Sequence, residues 1–189
     1  MQHAIVARID EEEYLEGETR SSIKHEYVAG EVFAMAGGSK AHATIAGNFF
    51  AALHSHLRGK PCRAYVADMK VRVKTLSAHY YPDVVATCAP RDLAADAPAH
   101  YLEAPCLIIE VLSDSTERTD RREKLLAYQQ IDSLSEYLLV DQDKREVEVH
   151  RRTPEGWLRD ICGSGDAIEM NSVGLVMPIE QIYEDSGIL

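Results

Sequence analysis

The run Cys106-Leu-Ile-Ile-Glu-Val-Leu112 is apolar at nearly every position, and Glu110 is its one charged residue. A strand that is apolar at successive positions is buried on both faces, as in a sheet covered by helices. A polar cluster at residues 113–116, a charged helical segment at about residues 117–130 and a second apolar run, Glu136–Asp141, follow in order. This succession of strand, helix and strand predicts an α/β fold.

Shorter segments on either side predict further strands and one long helix. Two short strands around a glycine turn, His25–Val28 and Glu31–Met35, form a predicted hairpin. Residues Lys40–Arg58 carry apolar side chains at spacings of three and four, which is typical of an amphipathic helix. Glu146–Arg151 and Trp157–Ile161 alternate like antiparallel strands. We therefore predict a mixed β-sheet flanked by helices, with an N-terminal hairpin and C-terminal antiparallel strands.

The length of 189 residues predicts a single domain over residues 1–189. With 46% hydrophobic and 27% charged residues, the composition is that of a globular protein and excludes a disordered chain. No apolar run reaches the roughly 20 residues of a membrane span, and residues 1–8 lack a signal-peptide pattern, so we expect a cytoplasmic protein without membrane contact. The acid-rich lead segment, residues 1–20, is interpreted as a solvated short helix without chemistry of its own.

The charge of the chain limits how it can meet nucleic acid. Its 31 acidic and 20 basic residues give a formal net charge of -11, which argues against a broad basic face but leaves room for a local basic groove. The four cysteines are widely separated and include no C-x-x-C pair. We therefore expect buried thiols, with neither zinc nor a disulfide.

Glu110 is the anomaly in the apolar run, because a buried carboxylate without a partner costs several kcal/mol. Such an acid takes up a proton, pairs with a cation or binds a metal. Asp83 has a similar setting, since it follows Pro82 at the start of the apolar run Val84–Cys88. If the two strands are neighbours, the carboxylates converge, and a divalent cation would remove their repulsion. Oxygen ligands of this kind predict Mg²⁺ or Mn²⁺ bound by both acids.

Basic residues near these acids are candidates for contact with a phosphate. Arg121, Lys124 and Tyr128 share one helix face at spacings of three and four. Lys124 is the candidate catalytic residue that positions a water molecule or stabilises charge on the phosphorus. Substrate contacts are expected from a small further set: Lys70, Arg121, Arg122 and His42. The predicted chemistry is phosphodiester hydrolysis.

Pro82-Asp83 and Glu110 together resemble the Pro-Asp…(Asp/Glu)-x-Lys motif of the restriction-endonuclease-like PD-(D/E)XK nuclease superfamily. The lysine of that motif lies two residues after the glutamate, where this chain has Leu112. Lys124 matches the superfamily variation in which the lysine lies on the following helix. The resemblance implies Asp83, Glu110 and Lys124 as the catalytic set.

A closer resemblance, to the Uma family of predicted endonucleases, covers most of the chain. It is carried by the segments Glu26–Glu31, Tyr80–Val85, Ile109–Thr116, Asp120–Lys124 and Glu136–Asp141. The resemblance implies a restriction-endonuclease-like α/β core with the acids at a sheet edge. It also implies metal dependence, DNA as the substrate and a homodimer.

Each of these residues also has a structural interpretation. Glu110 could be a buried acid paired with a basic residue, and Lys124 could form a surface helix pair with Asp120. Glu26 and Glu31 are expected to be solvent-exposed, because alternation places both on polar strand faces. At the level of function, the alternative is a catalytically inactive nuclease-fold module for dimerisation or partner binding, and a weaker one is a phosphodiesterase acting on a small nucleotide.

Overall fold

The computed structural model of the protein describes residues 8–113 and 116–189. The helices are α1 Glu11–Glu18, α2 Lys40–Leu57, α3 Pro90–Leu93, α4 Glu117–Thr119, α5 Leu125–Tyr128 and α6 Ile179–Ile182. The strands are β1 His25–Val28, β2 Glu31–Ala34, β3 Arg63–Val66, β4 Lys70–Val73, β5 Ala78–Tyr80, β6 Val84–Thr87, β7 Tyr101–Leu102, β8 Pro105–Leu112, β9 Glu136–Asp141, β10 Glu146–Thr153, β11 Gly156–Gly163, β12 Ala167–Met170 and β13 Leu175–Pro178. A π-helical turn over Asp120–Lys124 joins α4 to α5, and the three pieces together are called the site helix.

A six-stranded mixed sheet forms the centre of the molecule, with the strand order β11-β10-β9-β8-β6-β3. Its neighbouring strands β8 and β9 are parallel and are connected through the site helix, while the other pairs are antiparallel. The predicted α/β fold with a mixed sheet and C-terminal antiparallel strands is therefore confirmed. Because β8 lies between β6 and β9, Glu110 belongs to an inner strand, and the expected position at a sheet edge is wrong.

The two faces of β8 pack into two separate hydrophobic cores, which explains why nearly every residue of the strand is apolar. Leu107, Ile109 and Val111 pack beneath α2 on one face. Ile108 and Leu112 pack on the other face, towards the site helix and the second sheet. Residue 110 shares that second face. Leu112 is buried in the second core, so the position at which the motif has its lysine is occupied here by an apolar packing side chain.

A five-stranded sheet, in the order β2-β1-β5-β4-β7, contains the predicted N-terminal hairpin. The hairpin turn uses Ala29 and Gly30, both with positive φ (48° and 97°), which suits the right-handed twist of paired strands. This sheet connects directly to the six-stranded sheet, because only residues 81–83 separate β5 from β6. Asp83 therefore lies at the junction between the two sheets.

The expectation that all four cysteines are free thiols is wrong, because Cys62 and Cys88 form a disulfide with a Cα–Cα distance of 4.1 Å. The physical reason is the register of β3 and β6. Arg63 pairs with Thr87, so the residues just outside that pair lie directly opposite each other. Neither spacing nor composition reveals this register. Cys106 and Cys162 are free thiols, as expected, but both are half-buried and not fully buried.

The acid-rich lead segment contains a short helix, α1, as predicted, but its acids do more than face solvent. Glu11 accepts hydrogen bonds from Arg72 and His79, and it thereby attaches α1 to the five-stranded sheet. Residues 1–7 of the lead segment, and residues 114 and 115 of the polar cluster, lie outside the described residues. No helix built from the described residues combines the length and the apolar character needed to span a membrane.

Candidate active site

Asp83 and Glu110 face the same side of the six-stranded sheet. In the antiparallel pair of β6 and β8, Val84 lies opposite Ile109, so the residue before Val84 and the residue after Ile109 are neighbours across the two strands. Both acids line one narrow pocket of about 70 Å³, which we call the acid pocket. The structure thus brings the two predicted acids together, although they are far apart along the chain.

Asp83 is held in place from two directions. Its Oδ2 accepts a 2.7 Å hydrogen bond from the backbone N–H of Val111 and lies 3.3 Å from Nε2 of His42. The hydrogen bond with Asp83 raises the pKa of His42. His42 lies in the first turn of α2, which Ser39 caps by accepting the His42 N–H. A Cβ on Gly38 would lie 2.8 Å from His42 Nδ1, so glycine allows the imidazole to reach Asp83.

Glu110 is 3% exposed, and its charge is compensated by neighbouring side chains. Its Oε1 accepts a 3.2 Å hydrogen bond from Lys124 Nζ and a 3.0 Å hydrogen bond from the Tyr128 hydroxyl. Burial raises the pKa of Glu110 well above the ordinary glutamate value, and the attraction of Lys124 only partly opposes this shift. Glu110 is thus a buried acid paired with a lysine, as the structural interpretation of this residue predicts.

Lys124 is buried and contacts three carboxylates at once. Its Nζ lies 2.9 Å from Glu26 Oε1 and 3.2 Å from both Glu110 Oε1 and Asp120 Oδ1. Burial would lower the pKa of Lys124, but the three carboxylates outweigh burial and hold the pKa well above its ordinary value. Lys124 does pair with Asp120, as the structural interpretation predicted, but the pair lies in the interior instead of on the surface.

Glu26 is the site residue that the sequence analysis missed. Besides Lys124 Nζ, its Oε1 contacts the backbone N–H of Tyr81 at 3.1 Å, and only 14% of its side chain is exposed. The expectation that Glu26 is solvent-exposed is therefore wrong, because its strand face looks onto the site helix. Val28 shares that face and packs against the second core, which is the sequence signal that could have revealed the buried setting. Glu31 is 45% exposed and contacts Arg8.

The other predicted substrate-binding residues are placed differently. Lys70 is buried, its Nζ donates to the Tyr81 hydroxyl at 3.1 Å, and burial lowers its pKa. Tyr81 lines the acid pocket, so Lys70 lies behind the pocket wall. Arg121 contacts Glu148 and not the acid pocket. Arg122 is exposed on the site helix. Of the four residues, His42 is the one that lines the pocket together with the acids.

Negative charge exceeds positive charge around the pocket, which is the feature that bears on metal binding. Asp83, Glu110, Glu26 and Asp120 surround one ammonium group and one imidazole. Asp120 Oδ1 is buried and receives no hydrogen bond from any residue that the structure describes, although Lys124 Nζ is 3.2 Å away. Within the described ranges, no three His, Cys, Asp or Glu side chains form a ready metal cage. Oxygen donors from one or two carboxylates, completed by water and phosphate, are nevertheless the set that Mg²⁺ takes. The residues fit such an ion.

The contacts of Arg121 lead to a prediction about stability. Glu148 accepts 2.7 Å hydrogen bonds from Arg121 and Arg159 and contacts His150 Nε2 at 2.6 Å. Burial acts to raise the pKa of Glu148, but the hydrogen bonds from Arg159 and His150 outweigh it and lower the pKa to about 2. Because the folded pKa is depressed, this stabilisation is complete above the unfolded pKa and is lost as the pH falls towards 2.

We therefore expect Glu148→Gln to reduce the free energy of unfolding at pH 7 by about 2 kcal/mol. The difference from wild type should shrink as the pH falls below about 4.5, the ordinary glutamate value. Urea denaturation at several pH values measures this. Glu146→Gln, on the same strand, is the control, because Glu146 forms an exposed pair with Lys144 and should cost less than about 0.5 kcal/mol. A pH-independent difference at Glu148 would contradict the assignment.

The fold and the acid pocket together define the class of protein, a restriction-endonuclease-like α/β protein. Two acids meet where two adjacent strands pair, and the lysine lies on the helix that follows. The chain belongs to the Uma2 family, described as "Putative restriction endonuclease", which it matches over residues 11–180. The predicted family is thereby confirmed.

Relatives with known sequences support the same family. Two proteins of Synechocystis sp. (strain ATCC 27184 / PCC 6803 / Kazusa), both described as uncharacterized, are similar to this chain. One is 36% identical over 177 residues, which are 93% of this chain and 92% of the relative. The other is 30% identical over 161 residues, which are 84% of this chain and 90% of the relative.

A solved structure shares the fold. The crystal structure of a "putative nuclease" from Anabaena variabilis ATCC 29413 aligns with a TM-score of 0.77. The alignment covers 93% of this chain and 97% of that chain at 18% sequence identity. At this low identity the likeness establishes the fold, and the predicted nuclease-like α/β architecture is confirmed.

Proposed function

We propose that this protein is a metal-dependent nuclease that hydrolyses phosphodiester bonds in DNA. The observation that carries the proposal is the placement of Asp83 and Glu110 in one pocket, with the Lys124 ammonium 3.2 Å from Glu110. Membership in a family of nuclease-like proteins supports the reaction class. The cytoplasmic location and the homodimer stay predictions from the sequence.

Asp83 and Glu110 would hold the metal ion, Mg²⁺ or Mn²⁺. Such an ion supplies Lewis-acid stabilisation of negative charge on a phosphate. The excess of carboxylates over cations favours its binding, and the burial of Glu110 means that this acid is ionised at low cost only when a cation is next to it.

The protein's own side chains orient the reacting groups. The Val111 N–H and His42 fix one oxygen of Asp83, so the carboxylate is held in one direction. Glu26 and Asp120 hold the Lys124 ammonium at the pocket wall, where it can donate to a phosphate oxygen or to an attacking water. Pre-arranged donors of this kind stabilise charge that develops during the reaction.

The proposal is tested by DNA cleavage with Asp83→Asn as the diagnostic variant. Asparagine keeps an oxygen that accepts the Val111 N–H, but it removes the charge that binds a cation. We expect wild type to cleave single- or double-stranded DNA in the presence of Mn²⁺ or Mg²⁺ and to be inactive when a chelator removes these ions. Asp83→Asn should reduce the rate by roughly 100-fold or more, while the control Asp143→Asn, on the exposed surface, should not change it. A wild type that is inert on every DNA form with both ions contradicts the proposal.

An inactive module for dimerisation or partner binding is the second candidate function. One observation favours it: Lys124 already compensates Glu110 without a metal ion. Calorimetric titration with Mn²⁺ separates the two candidates. Binding by wild type that Asp83→Asn abolishes supports the nuclease, whereas a wild type that binds no Mn²⁺ supports the inactive module.

A further inference from the structure

A second cavity opens beside the acid pocket, between the β1–β2 hairpin and the site helix. Its volume is about 390 Å³, which is within the usual range of small-molecule sites. Met35, Thr116, Asp120 and Lys124 line both this cavity and the acid pocket, so the two spaces adjoin each other. We call this space the hairpin cleft.

The walls of the hairpin cleft are apolar and aromatic on the hairpin side. Val28, Phe33, Ala34 and Tyr80 line it. Phe33 is 50% exposed, so its ring is available for contact with a ligand. Alternation along β2 separates Phe33 from Val32, which is also exposed but lines a different cavity on the opposite face.

Among the described residues that line the cleft, the charged groups apart from one lysine are acidic. Glu26, Asp120 and Glu123 line it, and the cation among its described lining residues is Lys124, whose ammonium already contacts three carboxylates. Carboxylates repel phosphate groups, but they accept hydrogen bonds from N–H donors. A flat, uncharged ring that carries amino groups suits both the aromatic wall and the acidic wall.

We propose that the hairpin cleft binds one unpaired nucleobase next to the phosphate that is cleaved. This inference rests on the proposed function and narrows its substrate to DNA that is single-stranded or locally unpaired at the site. A base in a continuous duplex is stacked and paired on both sides, so it cannot enter a cleft without leaving the helix. Stacking on an exposed aromatic ring is a sequence-tolerant way of binding single strands.

A binding experiment tests the base site without any cleavage. A short single-stranded oligonucleotide that contains 2-aminopurine is titrated with protein in the presence of a chelator, and fluorescence quenching reports stacking of the base. Wild type should quench the fluorescence and bind the single strand at least roughly ten-fold more tightly than the same sequence as a duplex. Replacing the reporter base by an abasic analogue in a competitor strand should weaken competition to a similar degree.

Phe33→Ala is the diagnostic variant, and it should weaken single-strand binding by roughly ten-fold or more. Val32→Ala is the matched control, because it removes a comparably exposed side chain from the other face of the same strand. It should bind as wild type does, and so should Phe33→Tyr, which keeps the ring. Equal melting temperatures of the variants exclude a general loss of folding as the cause of weaker binding.

The outcomes separate the base site from the nuclease. Quenching that depends on Phe33 but not on Val32 supports the base site even if no DNA is cleaved with Mn²⁺, in which case only the proposed nuclease function fails. Cleavage that is equal for wild type and Phe33→Ala, on a blunt duplex and on a single strand alike, overturns the base site and leaves the nuclease standing. Absence of quenching by wild type also overturns the base site.

Discussion

Replacement of Lys124 by methionine is expected to lower the free energy of unfolding by about 3–5 kcal/mol, because it leaves buried carboxylates without their cation. Methionine fills a similar volume, so the loss reports charge and not a cavity. Lys124 Nζ contacts Glu26, Glu110 and Asp120 within 3.2 Å. Chemical denaturation at pH 7 measures the effect, in the presence of a chelator so that no divalent ion can substitute for the ammonium.

Lys144→Met is the matched control for this experiment. Lys144 also contacts two carboxylates, of Asp141 and Glu146, but 59% of its side chain is exposed. Its replacement should leave the free energy of unfolding close to that of wild type, because an exposed ion pair contributes little. Combining Lys124→Met with Glu110→Gln should recover part of the lost stability, because residues in one charged network are not additive. A decrease of less than about 1 kcal/mol in the free energy of unfolding of Lys124→Met would contradict this prediction, because the buried carboxylates would then not depend on this ammonium group.

Glu110→Gln should have opposite effects on activity and on stability. Glutamine keeps an oxygen for the Tyr128 hydroxyl and Lys124, but it cannot supply the charge proposed to hold the metal ion. We expect metal-dependent cleavage to fall by about 10³-fold, because several kcal/mol of transition-state stabilisation depend on that ion. The metal-free variant should be more stable than wild type at pH 7 by about 1–3 kcal/mol, since a buried ionisable group has been removed.

The stability difference should depend on pH with a definite sign. Burial raises the folded pKa of Glu110, so the folded protein binds a proton more tightly than the unfolded chain does. The contribution of Glu110 to the free energy of unfolding of wild type is therefore fully present below about pH 4.5, the ordinary glutamate value. It is lost as the pH rises through the folded pKa. The advantage of Glu110→Gln should grow over the same range. Glu146→Gln should match wild type in both assays, and a destabilised Glu110→Gln at pH 7 would contradict this assignment.

The acid pair could be predicted from the sequence because it depends on burial, which leaves a clear signal in composition. One acid is a glutamate within an apolar strand and the other is an aspartate at the start of another such strand, so their sequence neighbours indicate apolar surroundings for both. Strand pairing alone then places Asp83 next to Glu110. The same reasoning failed for Glu26 and for the Cys62–Cys88 disulfide, since both depend on which strands and sheets face each other.

Arg121 shows a second limit of sequence reasoning. Ideal helical spacing places it on the same face as Lys124 and Tyr128. The site helix contains a π-helical turn over Asp120–Lys124, which adds a residue to the turn and breaks the regular spacing. Lys124 and Tyr128 therefore reach Glu110, whereas Arg121 points to Glu148 on β10. No pattern in the sequence of this segment distinguishes a π turn from a regular one.

The position of Glu26 has a consequence for attempts to shorten this protein. One sheet supplies Glu26, the other supplies Glu110, and a single ammonium group contacts both. A shortened chain that starts after the hairpin would keep Asp83, Glu110 and Lys124, but its lysine would have one fewer anchor and a different electrostatic balance. The smallest unit worth engineering therefore includes both sheets, even though the sequence motif for hydrolysis lies wholly outside β1.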